Sequence, residues 1–218
     1  MTAYFITGTD TEIGKTFVSS ALLHRFSQSG QRVVGMKPVA AGLDGKRLNE
    51  DVEQLIAAST VKADRALVNP FAFKSAIAPH LAAAEEGRDI RFAPIHQALS
   101  QLQQQADVVL VEGVGGFRVP LGPEGDSADL AQTLGLPVIL VVGLRLGCIS
   151  HALLTVEAIA ARGLPLVGWV ANCVDPLMQR AQKNIATLDE LIVAPRLGTI
   201  PYQSPPRADH AAEFLRLP

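Results

Sequence analysis

The sequence has little of what several protein classes depend on. It has two cysteines in 218 residues, Cys148 and Cys173, which favours reduced thiols over a disulfide framework or a cysteine metal site. Charged residues make up 18% of the chain and the net charge is −2, so the composition gives no reason to expect a nucleic acid or a membrane surface as a partner. The longest apolar run, residues 136–144, is too short to span a bilayer.

Other absences exclude specific chemistry and an export signal. The chain has no Gly-x-Ser-x-Gly elbow and no His-Glu-x-x-His motif, so serine hydrolysis and zinc proteolysis have no support. A strand pattern begins almost at the N-terminus, with no basic region or cleavage-like site before it. We therefore expect a cytoplasmic protein.

What the chain does contain is a regular alternation of apolar runs and helical patterns. The runs predict strands at residues 4–7, 33–37, 108–112, 138–143, 167–172 and 197–200. The helical patterns cover residues 15–28, 49–59, 94–105, 127–133, 150–161, 176–191 and 208–215. Residues 42–46, 117–126 and 203–207 are expected to be loops, and the second is a candidate mobile cover. This order predicts one α/β domain over residues 1–218, a doubly wound, mostly parallel sheet flanked by helices.

The most informative segment is GTDTEIGKT at residues 8–16, between the first strand and the first helix. This is the order of a phosphate-binding P-loop, in which backbone N–H groups and a helix N-terminus hold phosphate. Lys15 is placed to reach the outer phosphates, and the Thr16 hydroxyl to bind Mg²⁺. Five residues separate Gly8 from Gly14, where the common motif has four, so the loop indicates a particular branch of P-loop NTPases.

Ligands of such sheets bind beyond the carboxyl ends of the strands, so polar residues there are the next candidates. Lys37 ends the second strand, where it would face the phosphate site. Glu112 follows four apolar residues, at the position where P-loop proteins hold Mg²⁺. Asp51, in the first turn of a helix, is equally well explained by the helix dipole.

Two further segments each have two explanations. The amide of Asn172, at the end of the fifth strand, suits a purine edge, but asparagine also forms turns. Residues 147–151, GCISH, begin a helix whose free N–H groups suit a carboxylate or phosphate. An ordinary helix start with Ser150 near the N-cap explains that segment equally well.

Taken together, these motifs resemble the dethiobiotin synthetase family along nearly the whole chain. The matching segments, in order, are GTDTEIGKT (8–16), KPVA (37–40), NPF (69–71), APH (78–80), VEGVGG (111–116), LGCISH (146–151), GWVAN (168–172) and GTIP (198–201). The resemblance implies a ligase of biotin biosynthesis that uses ATP and Mg²⁺. Its substrates would be 7,8-diaminopelargonate and CO₂ or bicarbonate, and its products dethiobiotin, ADP and phosphate, formed through a carbamate and a carbamic–phosphoric anhydride.

The resemblance also implies roles for individual residues. Lys37 would be the catalytic lysine, assisted by Lys15, Thr11 and Glu12, while Thr16, Asp51 and Glu112 would hold Mg²⁺. The family is a homodimer with its sites at the subunit interface. The positions that would bind ATP are Glu12, Ile13, Gly14, Lys15, Thr16, Phe17, Asp51, Glu112, Gly113, Val114, Gly115, Asn172, Cys173, Pro201, Tyr202 and Gln203. Those that would bind the diamine are Lys37, Ala41, Cys148, Ile149 and Ser150.

This chain departs from the family pattern in a few places. Ala41 stands where a hydroxyl residue is usual, and the loss of one hydrogen bond would weaken substrate binding by about 1 kcal/mol. Ser150 stands where asparagine is common, and Ala78 where serine is common. The loop at residues 202–206, which is expected to contact adenine, matches least well.

Two alternative functions remain open from the sequence. One is another amidoligase-like synthetase of the same branch, although such proteins usually carry a glutaminase domain. The other is a P-loop nucleotide switch of the partitioning or septum-positioning type. Such switches typically have a second lysine near the start of the loop, where this chain has Thr9 and Asp10.

Overall fold

A computed structural model describes residues 1–46 and 48–218. The strands are β1 (Thr2–Gly8), β2 (Val33–Met36), β3 (Val39–Ala41), β4 (Phe71–Phe73), β5 (Val108–Glu112), β6 (Pro120–Gly122), β7 (Gly125–Asp126), β8 (Val138–Gly143), β9 (Leu166–Asn172) and β10 (Arg196–Ile200). The helices are α1 (Lys15–Gln28), α2 (Glu50–Ala58), α3 (Arg65–Val68), α4 (Pro79–Glu85), α5 (Phe92–Gln105), α6 (Ser127–Leu134), α7 (Cys148–Ala161), α8 (Ala181–Leu191) and α9 (Ala208–Ala211), followed by a 3₁₀ turn at Ala212–Phe214.

The main sheet has six parallel strands in the order β10-β9-β8-β1-β5-β2. Every residue of β5 and β8 is buried, which explains why these strands are continuous apolar runs. Strand β1 lies between β8 and β5, so the loop after it emerges at the middle of the carboxyl edge. The predicted doubly wound parallel sheet is therefore observed, and all six predicted strands belong to it.

Helix boundaries differ from the sequence prediction where local backbone geometry decides them. Helix α7 begins at Cys148 rather than at residue 150, because Gly147 takes a left-handed conformation (φ 93°) and starts the helix there. Helix α8 begins at Ala181 rather than at residue 176, since Arg180 is also left-handed (φ 59°). Helix α5 begins two residues early, at Phe92, whose N–H donates to Glu124 at 2.6 Å.

The structure adds elements that the sequence did not predict. Strands β3 and β4 form a two-stranded parallel sheet, and α3 and α4 are short helices around β4. The expected covering loop at residues 117–126 contains the antiparallel pair β6–β7. Phe117 and Leu121 anchor it in the core, and Asp126 caps α6 by accepting the N–H groups of Ala128 and Asp129.

Strand β9 carries the one tryptophan of the chain. Trp169 is 0% exposed, its indole N–H has no hydrogen-bond partner among the described residues, and the Arg196 guanidinium lies 5.9 Å from its ring centre. Both cysteines are free thiols. Within the described residues, each helix is too short or too polar to cross a membrane.

Candidate nucleotide-binding active site

The P-loop connects β1 to α1 and is held by a buried isoleucine. Ile13 is 1% exposed and lies against Gly8 and Gly143, where a Cβ would come within 2.7 and 2.5 Å of it respectively. Only glycine permits this approach at both positions. The loop turns through two left-handed residues, Glu12 (φ 58°) and Gly14 (φ 79°), and the second leads directly into α1.

A side chain from β9 fixes the far end of the loop. Asn172 is 4% exposed, and its Nδ2 donates to the Ile13 carbonyl at 2.9 Å. A Cβ on Gly14 would lie 2.4 Å from the same Nδ2 atom. The structure therefore gives Asn172 a contact that the sequence did not predict, directed at the loop backbone.

Four side chains from four segments meet beneath the loop. Lys37, just after β2, is 3% exposed, and its Nζ lies 2.5 Å from Glu112 Oε1 and 3.0 Å from Asp51 Oδ2. The Thr16 hydroxyl donates to Glu112 Oε1 at 2.7 Å. The sequence predicted a function for each of these residues, and the fold brings all four together.

The charges in this group stabilise one another. Burial disfavours the charged form of Lys37, but the Glu112 and Asp51 carboxylates outweigh burial and raise the pKa of its ammonium group above the ordinary value. Burial also opposes ionisation of Asp51, yet Lys37 and a hydrogen bond from Thr16 lower the pKa of its carboxyl group. Lys37 is therefore a fixed cation and Asp51 a fixed anion at neutral pH.

The same group fits a magnesium ion. Glu112 Oε2 is buried and has no hydrogen-bond partner among the described residues, although its other oxygen has two. Carboxylate and hydroxyl oxygens are the ligands that Mg²⁺ prefers, together with water and phosphate oxygens. The protein ligands that the family resemblance implies, Thr16, Asp51 and Glu112, lie together here around Lys37 Nζ and Glu112 Oε1.

The P-loop lysine is held differently. Lys15 is 7% exposed, and its Nζ donates to the Asp10 carbonyl at 2.9 Å. Burial, and then the nearby charge of Lys37, lower the pKa of this ammonium group to about 8. Lys15 is therefore mostly charged at neutral pH, and a phosphate beside it would stabilise the charged form further.

A cleft of about 1060 Å³ opens over these groups. Its lining includes many positions that the sequence predicted, namely Thr11, Glu12, Gly14, Lys15, Thr16, Phe17, Lys37, Ala41, Asp51, Val114 and Gly115. Ile13, Glu112 and Gly113 are absent from its described lining. Ile13 and Glu112 are instead buried below it.

Other predicted positions are not in the described lining of this cleft. They are Asn172, Cys173, Pro201, Tyr202 and Gln203, predicted for adenine, and Cys148, Ile149 and Ser150, predicted for the diamine carboxylate. The last three form the first turn of α7. The C-terminal part of the chain instead contributes Pro206 and Ala208 to the lining.

The sequence reasoning also missed several lining residues. Asn49 and Gln54 come from the start and body of α2, residues 76–79 precede and begin α4, and Val119 comes from the segment before β6. Two signals were available, because Ala78 and Pro79 belong to a family motif and Val119 lies in the expected covering loop. The α2 residues carried no motif that could have identified them.

The fold and site define a P-loop nucleotide-binding protein. A family model described as an AAA domain matches residues 2–208. Among solved structures, the septum site-determining protein MinD complexed with Mg-ADP from Pyrococcus horikoshii superimposes with a TM-score of 0.56, over 98% of this chain and 86% of that chain. Its sequence identity is 13%, so this likeness concerns the fold.

Sequence relatives define the family within that class. The ATP-dependent dethiobiotin synthetase BioD of Aromatoleum aromaticum is 58% identical over 99% of this chain and 97% of its own length. The protein of the same name from Ralstonia nicotianae is 56% identical over 97% of this chain and 93% of its own. The chain belongs to the dethiobiotin synthetase family, as its motifs predicted.

The position of Lys15 predicts a pH dependence of nucleotide binding. Because phosphate binds the charged form of Lys15, binding should raise the pKa of its ammonium group. Affinity for Mg-ATP should then be constant below pH 8 and fall as the pH rises above it, with one proton taken up on binding in the alkaline range. Titration calorimetry in buffers of different ionisation enthalpy measures this uptake. Lys15→Arg should show none, and an unchanged uptake in that variant would contradict the assignment.

The contact of Asn172 predicts how its replacement affects nucleotide choice. Its amide holds the P-loop, so Asn172→Ala should weaken both Mg-ATP and Mg-GTP binding, about fivefold for one buried hydrogen bond. An adenine contact of Asn172 would add a further loss for ATP alone. Competition binding with both nucleotides measures the two losses. A loss confined to ATP would instead support the predicted adenine contact.

Proposed function

We propose that this chain catalyses the ATP- and Mg²⁺-dependent conversion of 7,8-diaminopelargonate and CO₂ to dethiobiotin, ADP and phosphate. The observation that supports this most directly is Lys37, a buried ammonium beside Glu112, Asp51 and Thr16 at the floor of the cleft. The reaction brings a carbamate and a triphosphate together, so it needs a permanent cation where their negative charges meet. The relatives' name gives ATP and the product, dethiobiotin, and the site supplies the matching charge.

The chemistry has three steps, and each concentrates negative charge. An amine of the substrate adds to CO₂ and loses a proton, which gives a carbamate. A carbamate oxygen attacks the γ-phosphorus of ATP and displaces ADP, which gives a carbamic–phosphoric anhydride. The second amine attacks the carbonyl carbon and expels phosphate, which closes the cyclic urea.

In this scheme the lysines act through position and charge. Lys37 is locked by two carboxylates, so it would hold the carbamate and the γ-phosphate without reorganising. Lys15 would exchange its Asp10 carbonyl partner for the outer phosphates. Mg²⁺ bound by Thr16, Asp51 and Glu112 would neutralise phosphate charge. Thr11 and Glu12 line the cleft at the tip of the loop, where they would contact the reacting groups.

The remaining assigned residues would hold the ends of the two substrates. We assign Gly113, Val114 and Gly115 to the phosphate and ribose side, and Asn172, Cys173 and Pro201–Gln203 to adenine. Pro206 and Ala208 support this assignment, because they line the cleft and follow residues 201–203 closely in the chain. Ala41 lies in the cleft lining, where it would contact the diamine.

We further propose a homodimer in which α7 faces the partner subunit. Leu146 and Leu154 are 95% and 62% exposed, and the half-buried Ile149 and Leu153 lie on the same helix as Leu154. An apolar surface of this kind favours association. The start of α7 would then receive the diamine carboxylate of the neighbouring subunit through Cys148, Ile149 and Ser150.

Subunit mixing tests this arrangement. A Lys37→Met variant and a variant altered at the start of α7, Ser150→Pro, should each be inactive. Co-refolded together, they should regain up to about a quarter of wild-type activity if each site needs both subunits. No recovery, or a monomer by light scattering, would remove the shared site.

We also propose one domain over residues 1–218 and a cytoplasmic location, where ATP is available.

The overall function is tested by substrate dependence. Phosphate release from Mg-ATP and bicarbonate is measured with and without 7,8-diaminopelargonate, while labelled bicarbonate is followed into acid-stable product. Both signals should require the diamine and appear together. ATP turnover that ignores the diamine would instead favour a nucleotide switch, which no specific observation supports at present.

A further inference from the structure

Asp10, the third residue of the P-loop segment, has every acceptor oxygen in use. Its Oδ1 accepts the N–H of Thr11 at 2.8 Å, and its backbone carbonyl accepts Lys15 Nζ at 2.9 Å. Its Oδ2 accepts a short hydrogen bond from the Arg145 guanidinium. One residue thus joins a surface arginine to the P-loop lysine.

Arg145 itself is fixed by the fold. It follows β8 in a loop whose Leu144 is 1% exposed, and the Leu144 N–H donates to the Asn172 carbonyl at 2.8 Å. The Arg145 carbonyl accepts the Cys148 N–H at 3.0 Å, at the start of α7. The guanidinium therefore extends to Asp10 from a backbone that is anchored at both ends.

The P-loop needs such a support on this side. Glu12 is a non-glycine residue with φ 58°, a conformation that is costly and persists only where the surroundings impose it. Asn172 holds the loop after that residue, through the Ile13 carbonyl. The hydrogen bonds of Asp10 hold the loop before it.

We propose that Arg145 is a positioning residue for nucleotide binding. Through Asp10, Arg145 fixes the first half of the P-loop. Thr11 and Glu12 then face the cleft, and Lys15 lies beside the position of the phosphates. Without Arg145 this half of the loop must be ordered when the nucleotide binds, which weakens affinity. No step of the proposed reaction uses Arg145 directly. The inference rests on the proposed function only for the identity of the nucleotide.

The simplest competing explanation is a surface ion pair without consequence. The Arg145 and Asp10 side chains are 40% and 42% exposed, and pairs so exposed contribute little to stability. The chain offers a matched control in Arg32, which pairs with Asp107 at similar exposure, 62% and 44%. That pair joins the start of β5 to the residue before β2, at the amino edge of the sheet and away from the cleft.

The test measures Mg-ATP binding by calorimetry in Arg145→Met, Asp10→Asn and the double variant, with Arg145→Lys and Arg32→Met as controls. Arg145→Met should raise the dissociation constant by about five- to tenfold, and the double variant should be no weaker than Asp10→Asn alone. Arg145→Lys should recover most of the affinity. Arg32→Met should bind like wild type, and its melting temperature should change as much as that of Arg145→Met.

The proposal is overturned if Arg145→Met binds Mg-ATP within twofold of wild type, or if the losses of the two single variants add in the double variant. Binding is measured without the diamine, so the result does not depend on the carboxylation reaction. If wild type binds Mg-ATP but forms no product, the proposed function fails while this test still decides the role of Arg145.

Discussion

Replacing Lys37 with methionine should reduce product formation by about 10²–10³-fold or more, the range found when one preorganised charge-stabilising donor is removed. The reason is geometric: Lys37 is held between Glu112 and Asp51, so no other described side chain occupies its place. The measurement is single-turnover formation of labelled product at saturating Mg-ATP. Turnover within tenfold of wild type would remove Lys37 from the mechanism.

The same substitution should also destabilise the fold, and this needs a control. Without Lys37, Glu112 is a buried carboxylate that has lost its ion pair, which typically costs about 3–5 kcal/mol. The double variant Lys37→Met/Glu112→Gln removes both charges and should recover much of that stability. Its activity should stay as low as that of Lys37→Met. If its activity instead rose to that of Glu112→Gln alone, the single variant had failed only because it was poorly folded.

The second large effect is expected from Glu112→Gln alone. The amide keeps an oxygen for the Thr16 hydroxyl but loses the negative charge that its free Oε2 atom would bring to Mg²⁺. We expect turnover at low Mg²⁺ to fall by about 100-fold, with partial recovery as Mg²⁺ is raised. Activity is measured across a magnesium titration at fixed ATP.

The matched control for this substitution is Glu124→Gln. Glu124, in the turn between β6 and β7, accepts hydrogen bonds from the Arg91 guanidinium and from the Phe92 N–H at the start of α5. Its replacement should leave the magnesium dependence unchanged. If Glu112→Gln required no more Mg²⁺ than wild type, the metal would be bound elsewhere. The orphaned oxygen of Glu112 would then need a different explanation.

The fold could be predicted from the sequence where burial alone decides it. Strands β5 and β8 are buried on both faces, so their residues form unbroken apolar runs, and their predicted bounds are the observed ones. Strands β3 and β4 have three residues each, too few to show a period, and their pairing depends on a contact between distant segments. The hairpin β6–β7 could not be predicted either, because its strands are equally short and their prolines and glycines indicate a loop.

The site was predictable where a residue ends a strand or follows the P-loop pattern. Lys15, Thr16, Lys37 and Glu112 were found this way because parallel strands bring their carboxyl ends to one edge. The pairing of Asp10 with Arg145 was not, since the two are 135 positions apart and Arg145 belongs to none of the motifs. The contact of Asn172 with the loop backbone needed coordinates as well, because a side-chain amide has several plausible partners.

The burial of Trp169 has a practical consequence for optical work on this protein. A chain with one tryptophan has one dominant source of intrinsic fluorescence. Here that tryptophan is buried in β9, with the Arg196 guanidinium over its ring. Its emission should therefore be blue-shifted in the native state and should red-shift sharply when water reaches the sheet. Trp169 is not in the described lining of the cleft, so its emission should change little when nucleotide is added. Fluorescence can thus follow denaturation of every variant above without confusing loss of structure with loss of ligand.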